Sequence, residues 1–258
     1  MFKLIKLFVV FIIMTISSSF ADLSDILKKG EVKIAVPEAF APFGSVGKSG
    51  EHEGYDVDVA KLIAKDLGVK LIIVPVVSKQ RIPFLETNKV DLVISTMGAN
   101  PKRAKSINFS SAYAPFYSGV FAGSSIKINT YADLDGLTVG VTGGTLEDLE
   151  LTKRAPKGTK ITRFGDNAAT LSAIKSKQVQ VLVSGNTVAA SITDADPNFD
   201  LQRKFIIKDS PCFIGIKKGN EDLLRWVNVF ILHKKLGGDL NKISLKWLGQ
   251  DVPSLASL

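Results

Sequence analysis

The sequence has one cysteine, Cys212, and only two histidines, His52 and His233, in 258 residues. A lone thiol cannot form an intramolecular disulfide, so a disulfide-stapled scaffold is excluded. Neither histidine has cysteines or carboxylates beside it at ligand spacing, which leaves no zinc signature, and neither matches a nucleophile–base motif. Cys212 lies in Pro211-Cys212-Phe213-Ile214, the setting of a small buried apolar residue rather than of a reactive thiol. No apolar run reaches the roughly 20 residues a membrane-spanning helix needs. There is no Gly-Lys-Ser/Thr phosphate loop and no dinucleotide glycine fingerprint. Acidic residues are outnumbered, 25 against 33 Lys and Arg. The lysines, such as Lys28, Lys29, Lys102, Lys105, Lys217, Lys218, Lys234 and Lys235, are scattered without interleaved aromatics. That excludes a groove-tracking nucleic-acid surface and leaves a bias towards anionic ligands.

Apolar residues make up 45% of the chain, ample for a buried core. The length suits one large domain or two ordinary ones. Residues 1–21 carry Lys3 and Lys6, then an apolar run over 7–16, then Ser17-Ser18-Ser19-Phe20-Ala21. This tripartite layout reads as a secretory signal cleaved after Ala21, with a periplasmic protein as the product. No cysteine stands at the cleavage point to take a lipid.

From there the sequence alternates short β-branched runs with helical stretches, the pattern of α/β layering around mainly parallel strands. Strands are expected over 32–36, 70–74 and 90–95, with helices over 57–67 and around 83–87. After Pro115-Phe116-Tyr117 the plan begins again: strands over 137–141, 160–164 and 179–184, with helices opening at Leu146 and Asn167. Runs at 205–207 and 213–216 lead into amphipathic stretches over 223–236 and 240–247, which have no sheet of their own and must pack on the first unit. The expected architecture is α/β, two Rossmann-like lobes joined by two hinge crossings. Lobe 1 takes 22–117 plus 212–258 and lobe 2 takes 118–211.

Such a pair of lobes leaves a cleft into which strand carboxyl ends and helix N-termini point, a setting for small polar ligands. Three segments supply suitable groups. Ser95-Thr96-Met97-Gly98 ends a strand just before Arg103, whose guanidinium suits bidentate capture of a carboxylate. Thr142-Gly143-Gly144-Thr145-Leu146-Glu147 offers glycines for close approach and the free N–H groups of a helix start. Ser184-Gly185-Asn186-Thr187 is a further polar turn at a strand end. Taken singly, Arg103 also fits a surface cation, Thr145 an N-cap and Phe40 a core aromatic.

The pieces Phe40-Ala41-Pro42-Phe43, Gly54-Tyr55-Asp56-Val57-Asp58-Val59-Ala60, Lys89-Val90-Asp91-Leu92-Val93-Ile94, Asn100-Pro101-Lys102-Arg103-Ala104-Lys105, Asn108-Phe109-Ser110 and Asp133-Leu134-Asp135-Gly136-Leu137-Thr138-Val139-Gly140-Val141 occur in one order. In order and spacing they resemble the extracellular solute-binding proteins of polar amino-acid ABC importers, with their type 2 periplasmic-binding fold. The likeness runs to Lys246-Trp247-Leu248-Gly249.

The resemblance implies roles. Arg103 pairs with the ligand α-carboxylate, helped by the N–H of Gly98 and by Thr145. Thr96 meets the α-amino group, and Phe40 stacks over the ligand. Arg81 resembles the arginine that acidic-amino-acid binders aim at the side-chain carboxylate. Many relatives place an Asp after the strand at 179–184 to neutralise the ammonium. This chain has Gly185 or Asn186 there, according to register, and an amide gives no full charge. Pro37 falls where relatives often carry an acid, with Glu38 the nearest carboxylate.

The function expected is capture of a polar, acidic amino acid and its delivery to a membrane permease by hinge closure. The protein is expected to be a monomer with no cofactor or metal and no enzymatic activity. An amino-acid-like organic anion is the alternative ligand. A periplasmic dehydratase of prephenate-like substrates would need a general acid, for which Glu38, Glu147 and Asp148 are the nearby candidates. A sensory module acting on a membrane kinase would need a separate partner.

Overall fold

The computed structural model describes residues 23–253; the leader expected over 1–21 lies outside them. Helix α1 (Leu23–Lys29) leads into strand β1 (Glu31–Pro37), a two-stranded ribbon of β2 (Ser45–Val46) and β3 (His52–Glu53), and helix α2 (Tyr55–Leu67). Helix α2 buries Val57, Val59, Ala60, Ile63 and Ala64, and it stops at Gly68, whose left-handed backbone (φ 67°) closes the last turn. Strand β4 (Lys70–Val76), helix α3 (Arg81–Glu86), strand β5 (Leu92–Met97) and strand β6 (Ile107–Ala114) complete the first unit.

The chain then crosses to a second unit. It contains β7 (Tyr117–Ala122), β8 (Thr138–Thr142), α4 (Leu146–Arg154), β9 (Lys160–Phe164), α5 (Asn167–Lys175), β10 (Val181–Gly185), α6 (Asn186–Ala195) and β11 (Gln202–Asp209). It returns with β12 (Cys212–Lys217) and ends in α7 (Glu221–Leu236) and α8 (Asp239–Leu248).

Two five-stranded sheets result, ordered β4-β1-β5-β12-β6 and β9-β8-β10-β7-β11. In each, three parallel strands are followed by an antiparallel one that has just crossed from the other unit, β12 in the first and β7 in the second. The likeness of plan follows from the repeated strand–helix pattern, since right-handed crossovers put helices over near-continuous apolar strands. The tail helices pack on the first sheet, with Leu223, Val227, Phe230, Ile231, Leu240 and Ile243 in its core. The second sheet has its own cores around Val139, Val141, Val181 and Leu182.

Three details differ from the sequence reading. The turn expected at Ser184-Gly185-Asn186-Thr187 is shorter, because Asn186 is already the first residue of α6. Arg103, expected about two helical turns after its strand, is reached from Met97 through a loop and opens a 3-10 segment, where Asn100 Oδ1 accepts from the Arg103 N–H at 2.7 Å. Helix α3 begins earlier than expected, at Arg81. Among the described residues no helix is long and apolar enough to cross a membrane.

Candidate functional site

The carboxyl ends of β5, β8 and β10 and the first turns of α4 and α5 converge on one cavity between the two sheets. Phe40, Arg81, Thr96, Gly98 and Arg103 line it from the first unit. Thr145, Glu147, Asn167, Ser184 and Gly185 line it from the second, and Phe116 and Ser210 stand at the crossings. Six of the seven residues singled out in the sequence thus meet around one space.

Arg103 spans the cleft. Its Nη1 donates to the Gly98 carbonyl oxygen of the first unit at 2.8 Å, and its Nη2 donates to the Gly144 carbonyl oxygen of the second at 2.9 Å. Burial lowers its pKa to about 10, aided by Arg81 and opposed by Glu147, so it stays charged at neutral pH. Arg81 is also buried, and its Nε donates to Ser95 Oγ at 3.1 Å. Burial pulls its pKa down, while Asp56 and Glu147 hold it up.

Thr96 lines the cavity with its hydroxyl turned inward, where Oγ1 donates to Asp56 Oδ2 at 2.9 Å and the backbone N–H donates to the same oxygen at 2.8 Å. The hydroxyl hydrogen is therefore committed to Asp56, which leaves the Thr96 hydroxyl oxygen as an acceptor towards the cavity. Asp56 is fully buried, and its other oxygen accepts from the Tyr113 hydroxyl at 2.6 Å. Desolvation raises the Asp56 pKa to about 6 despite these three hydrogen bonds.

Thr145 is the N-cap of α4. Its Oγ1 accepts from the Asp148 N–H and donates to the Thr142 carbonyl oxygen. Asp148 turns away to pair with Arg163 at 2.8 Å. Glu147 does not: it is buried in the cavity wall, with Oε1 accepting from Ser118 Oγ at 2.7 Å. Its sequence position marks it as a first-turn acid complementing the helix dipole. Its place in the wall depends on β7 bringing Ser118 beside Gly185, which no local pattern reveals. Glu38 lies outside this cavity, in a smaller one next to it that shares Phe40, Arg81 and Asn167.

Of the two residues that the register left open, the structure puts Gly185 at the cavity. It lies in the wall, whereas Asn186 is absent from the lining and its Oδ1 accepts from the Tyr117 N–H at 3.2 Å. Asn186, expected among the ligand contacts, is thus a strut of the crossing. A Cβ on Gly185 would overlap the edge of the Phe116 ring at its Cζ. That ring packs edge-on against Phe40 and Phe43, with centroids 6.4 and 5.9 Å away. The aromatic wall occupies the volume an acidic side chain would need. Among the described residues no group of three or more His, Cys, Asp or Glu is placed to hold a metal.

Comparison with known proteins agrees with this two-sheet α/β fold. Residues 32–250 match the family of bacterial extracellular solute-binding proteins, family 3. The chain is 30% identical to the ABC transporter glutamine-binding protein GlnH of Bacillus subtilis over 207 residues, 79% of this chain and 75% of the relative. It superposes on a mutant of ArgBP from T. maritima with a TM-score of 0.82 and 30% identity, covering 88% of this chain and 99% of the other. An ancestral amino acid-binding protein described as a precursor of cyclohexadienyl dehydratase gives a TM-score of 0.81 at 30% identity, over 87% and 98%.

Proposed function

From the chain's membership of family 3 of the bacterial extracellular solute-binding proteins, we propose that it captures an amino acid with an acidic side chain and delivers it, closed, to an ABC-transporter permease. The observation that carries the choice of ligand is the charge set of the cavity: two buried guanidiniums, Arg81 and Arg103, and one buried carboxylate, Glu147. A dicarboxylic amino acid has two carboxylates and one ammonium, the complement of that set. Desolvated charges bind well only when each finds its counterpart.

In this reading Arg103 takes the α-carboxylate and Arg81 the side-chain carboxylate, each by charge-assisted hydrogen bonds. Glu147 takes the ammonium, the task for which neither Gly185 nor Asn186 provides an anion. Phe40 and Phe116 cover the apolar part of the ligand. A ligand held between Arg103 and Arg81 of the first unit and Glu147 of the second is fully contacted only when the two units are together, so binding energy is spent on closure. The protein is exported by its leader, works outside the cytoplasmic membrane as a monomer, and needs no cofactor.

The second reading is an organic anion of similar shape without the amine, and Glu147 argues against it, because such a ligand would add negative charge beside that buried carboxylate and bring no ammonium to it. A thermal-shift screen of refolded, ligand-stripped protein tests both. A ligand at 100 times its Kd stabilises by about 2.7 kcal/mol, several degrees in Tm. Glutamate or aspartate giving the largest shift supports the proposal. Succinate or glutarate shifting it more overturns the role of Glu147, and consumption of prephenate would make Glu147 a general acid and the protein an enzyme.

A further inference from the structure

We propose that Asp56, which stands behind the cavity wall, is the positioning residue of the ligand site: by clamping Thr96 it places both Arg81 and Arg103. The proposal rests on the reading that these two arginines take the ligand's carboxylates. Thr96 has φ 46°, a left-handed conformation that a β-branched residue adopts only when its surroundings impose it. What imposes it is one oxygen, Asp56 Oδ2, which accepts from both the N–H and the hydroxyl of Thr96 at 2.8 and 2.9 Å.

The two arginines are fastened to the residues on either side of this kink. Ser95 Oγ accepts from Arg81 Nε, and the Gly98 carbonyl oxygen accepts from Arg103 Nη1. If residue 96 relaxed to an extended conformation, the Ser95 side chain and the Gly98 carbonyl would both turn, and each guanidinium would lose its anchor. Asp56 itself cannot move with them. It lies in the first turn of α2, fully buried, with Oδ1 held by the Tyr113 hydroxyl, and the Tyr55 hydroxyl in turn donates to the Tyr113 carbonyl oxygen. The titratable and charged groups around it are Tyr55, Arg81, Tyr113 and Cys212.

A rival role is purely electrostatic, with Asp56 partly neutralising Arg81. The two roles predict opposite signs. Removing the charge in Asp56→Asn should strengthen carboxylate binding if Asp56 only neutralises, and weaken it if Asp56 positions.

The test measures Asp56→Asn in two ways: amide hydrogen exchange across residues 95–98 without ligand, and calorimetric affinity for L-glutamate. We expect faster exchange at residues 96–98 and at least about tenfold weaker binding, the loss expected for a charge-assisted hydrogen bond. Adding Thr96→Gly to Asp56→Asn should recover part of the affinity, because glycine adopts φ 46° without the strain that the clamp offsets. Unchanged exchange, or binding as tight as wild type or tighter, overturns the proposal. If wild type takes no glutamate, the ligand reading fails and the exchange measurement alone decides the clamp. If Asp56→Asn does not fold, wild-type affinity is followed against pH instead. It should fall as Asp56 gains its proton near pH 6, and a flat profile from pH 7.5 to 5 would overturn the clamp.

Discussion

Gly185→Ala puts a methyl group in place of a hydrogen in the cavity wall, and its effect follows from what the new carbon meets. The new Cβ would overlap Cζ and Cε2 of Phe116 and stand 2.9 Å from Cε1. The ring has nowhere to retreat, because Phe40 and Phe43 pack against it from the first unit. The backbone of Gly185 is fixed by pairing with Ser118 at the end of β10. Overpacking of this kind costs about 1–3 kcal/mol. If the overlap exists only when the two units are together, the whole cost falls on closure and affinity drops by about 5–150-fold. If it persists when they separate, it also lowers the unliganded Tm, by about 2–4 °C for each kcal/mol in a protein of this size. Titration calorimetry and scanning calorimetry on the same sample divide the two contributions. Phe116→Leu combined with Gly185→Ala should bind more tightly than Gly185→Ala alone. Binding by Gly185→Ala indistinguishable from wild type would refute the argument that the aromatic wall and the bare glycine are one device.

Other outcomes follow from the same geometry. Arg103→Ala removes a contact to each unit and the α-carboxylate partner, so amino-acid binding should become undetectable by calorimetry; residual binding within about a hundredfold of wild type would show that another group holds the carboxylate. Glu147→Gln should weaken glutamate binding by about tenfold or more and favour dicarboxylates without an amine, read as a reversal in a competition assay. Burial holds the Asp56 pKa at about 6, above its ordinary 3.8, so the native protein binds this proton more tightly than the unfolded chain. The resulting stability is full below the ordinary value and is lost as pH rises through about 6. Subtracting the unfolding curves of Asp56→Asn from those of wild type between pH 4 and 8 should reveal that slope, and parallel profiles would contradict it. Burial also raises the Cys212 thiol well above its usual range, so a thiol reagent should label it only as fast as the protein unfolds.

The alternation of strands and helices was legible because parallel strands buried on both faces leave near-continuous apolar runs and helices leave a 3.6-residue stripe. The groups on strand ends, Thr96, Gly98 and Thr145, could be placed from the same pattern, since strand carboxyl ends in such sheets share one side. What could not be read were features set by pairing across long sequence separations. Asn186 turned out to brace the crossing because α6 starts at that residue and points the amide at Tyr117. Glu147 looked like an ordinary first-turn acid until β7 put Ser118 against it. Asp56 sat inside a recognisable run, Gly54-Tyr55-Asp56-Val57-Asp58, yet its partner Thr96 lies 40 residues away, and nothing in the run announces a left-handed threonine.

The two crossings are short, Pro115-Phe116 between β6 and β7 and Ser210-Pro211 between β11 and β12, and the Ser210 N–H donates to the Phe116 carbonyl oxygen at 2.9 Å. Each crossing thus contains a proline, whose φ is locked and whose nitrogen has no hydrogen to give, and the two are stitched to each other. Few torsions remain to absorb a change of orientation, so the closure proposed above would follow something near a single path, like a door on two pins. A mechanism with one path passes through few intermediate poses. A partner touching both halves could then read occupancy as an angle, without ever sensing the chemistry of the molecule inside.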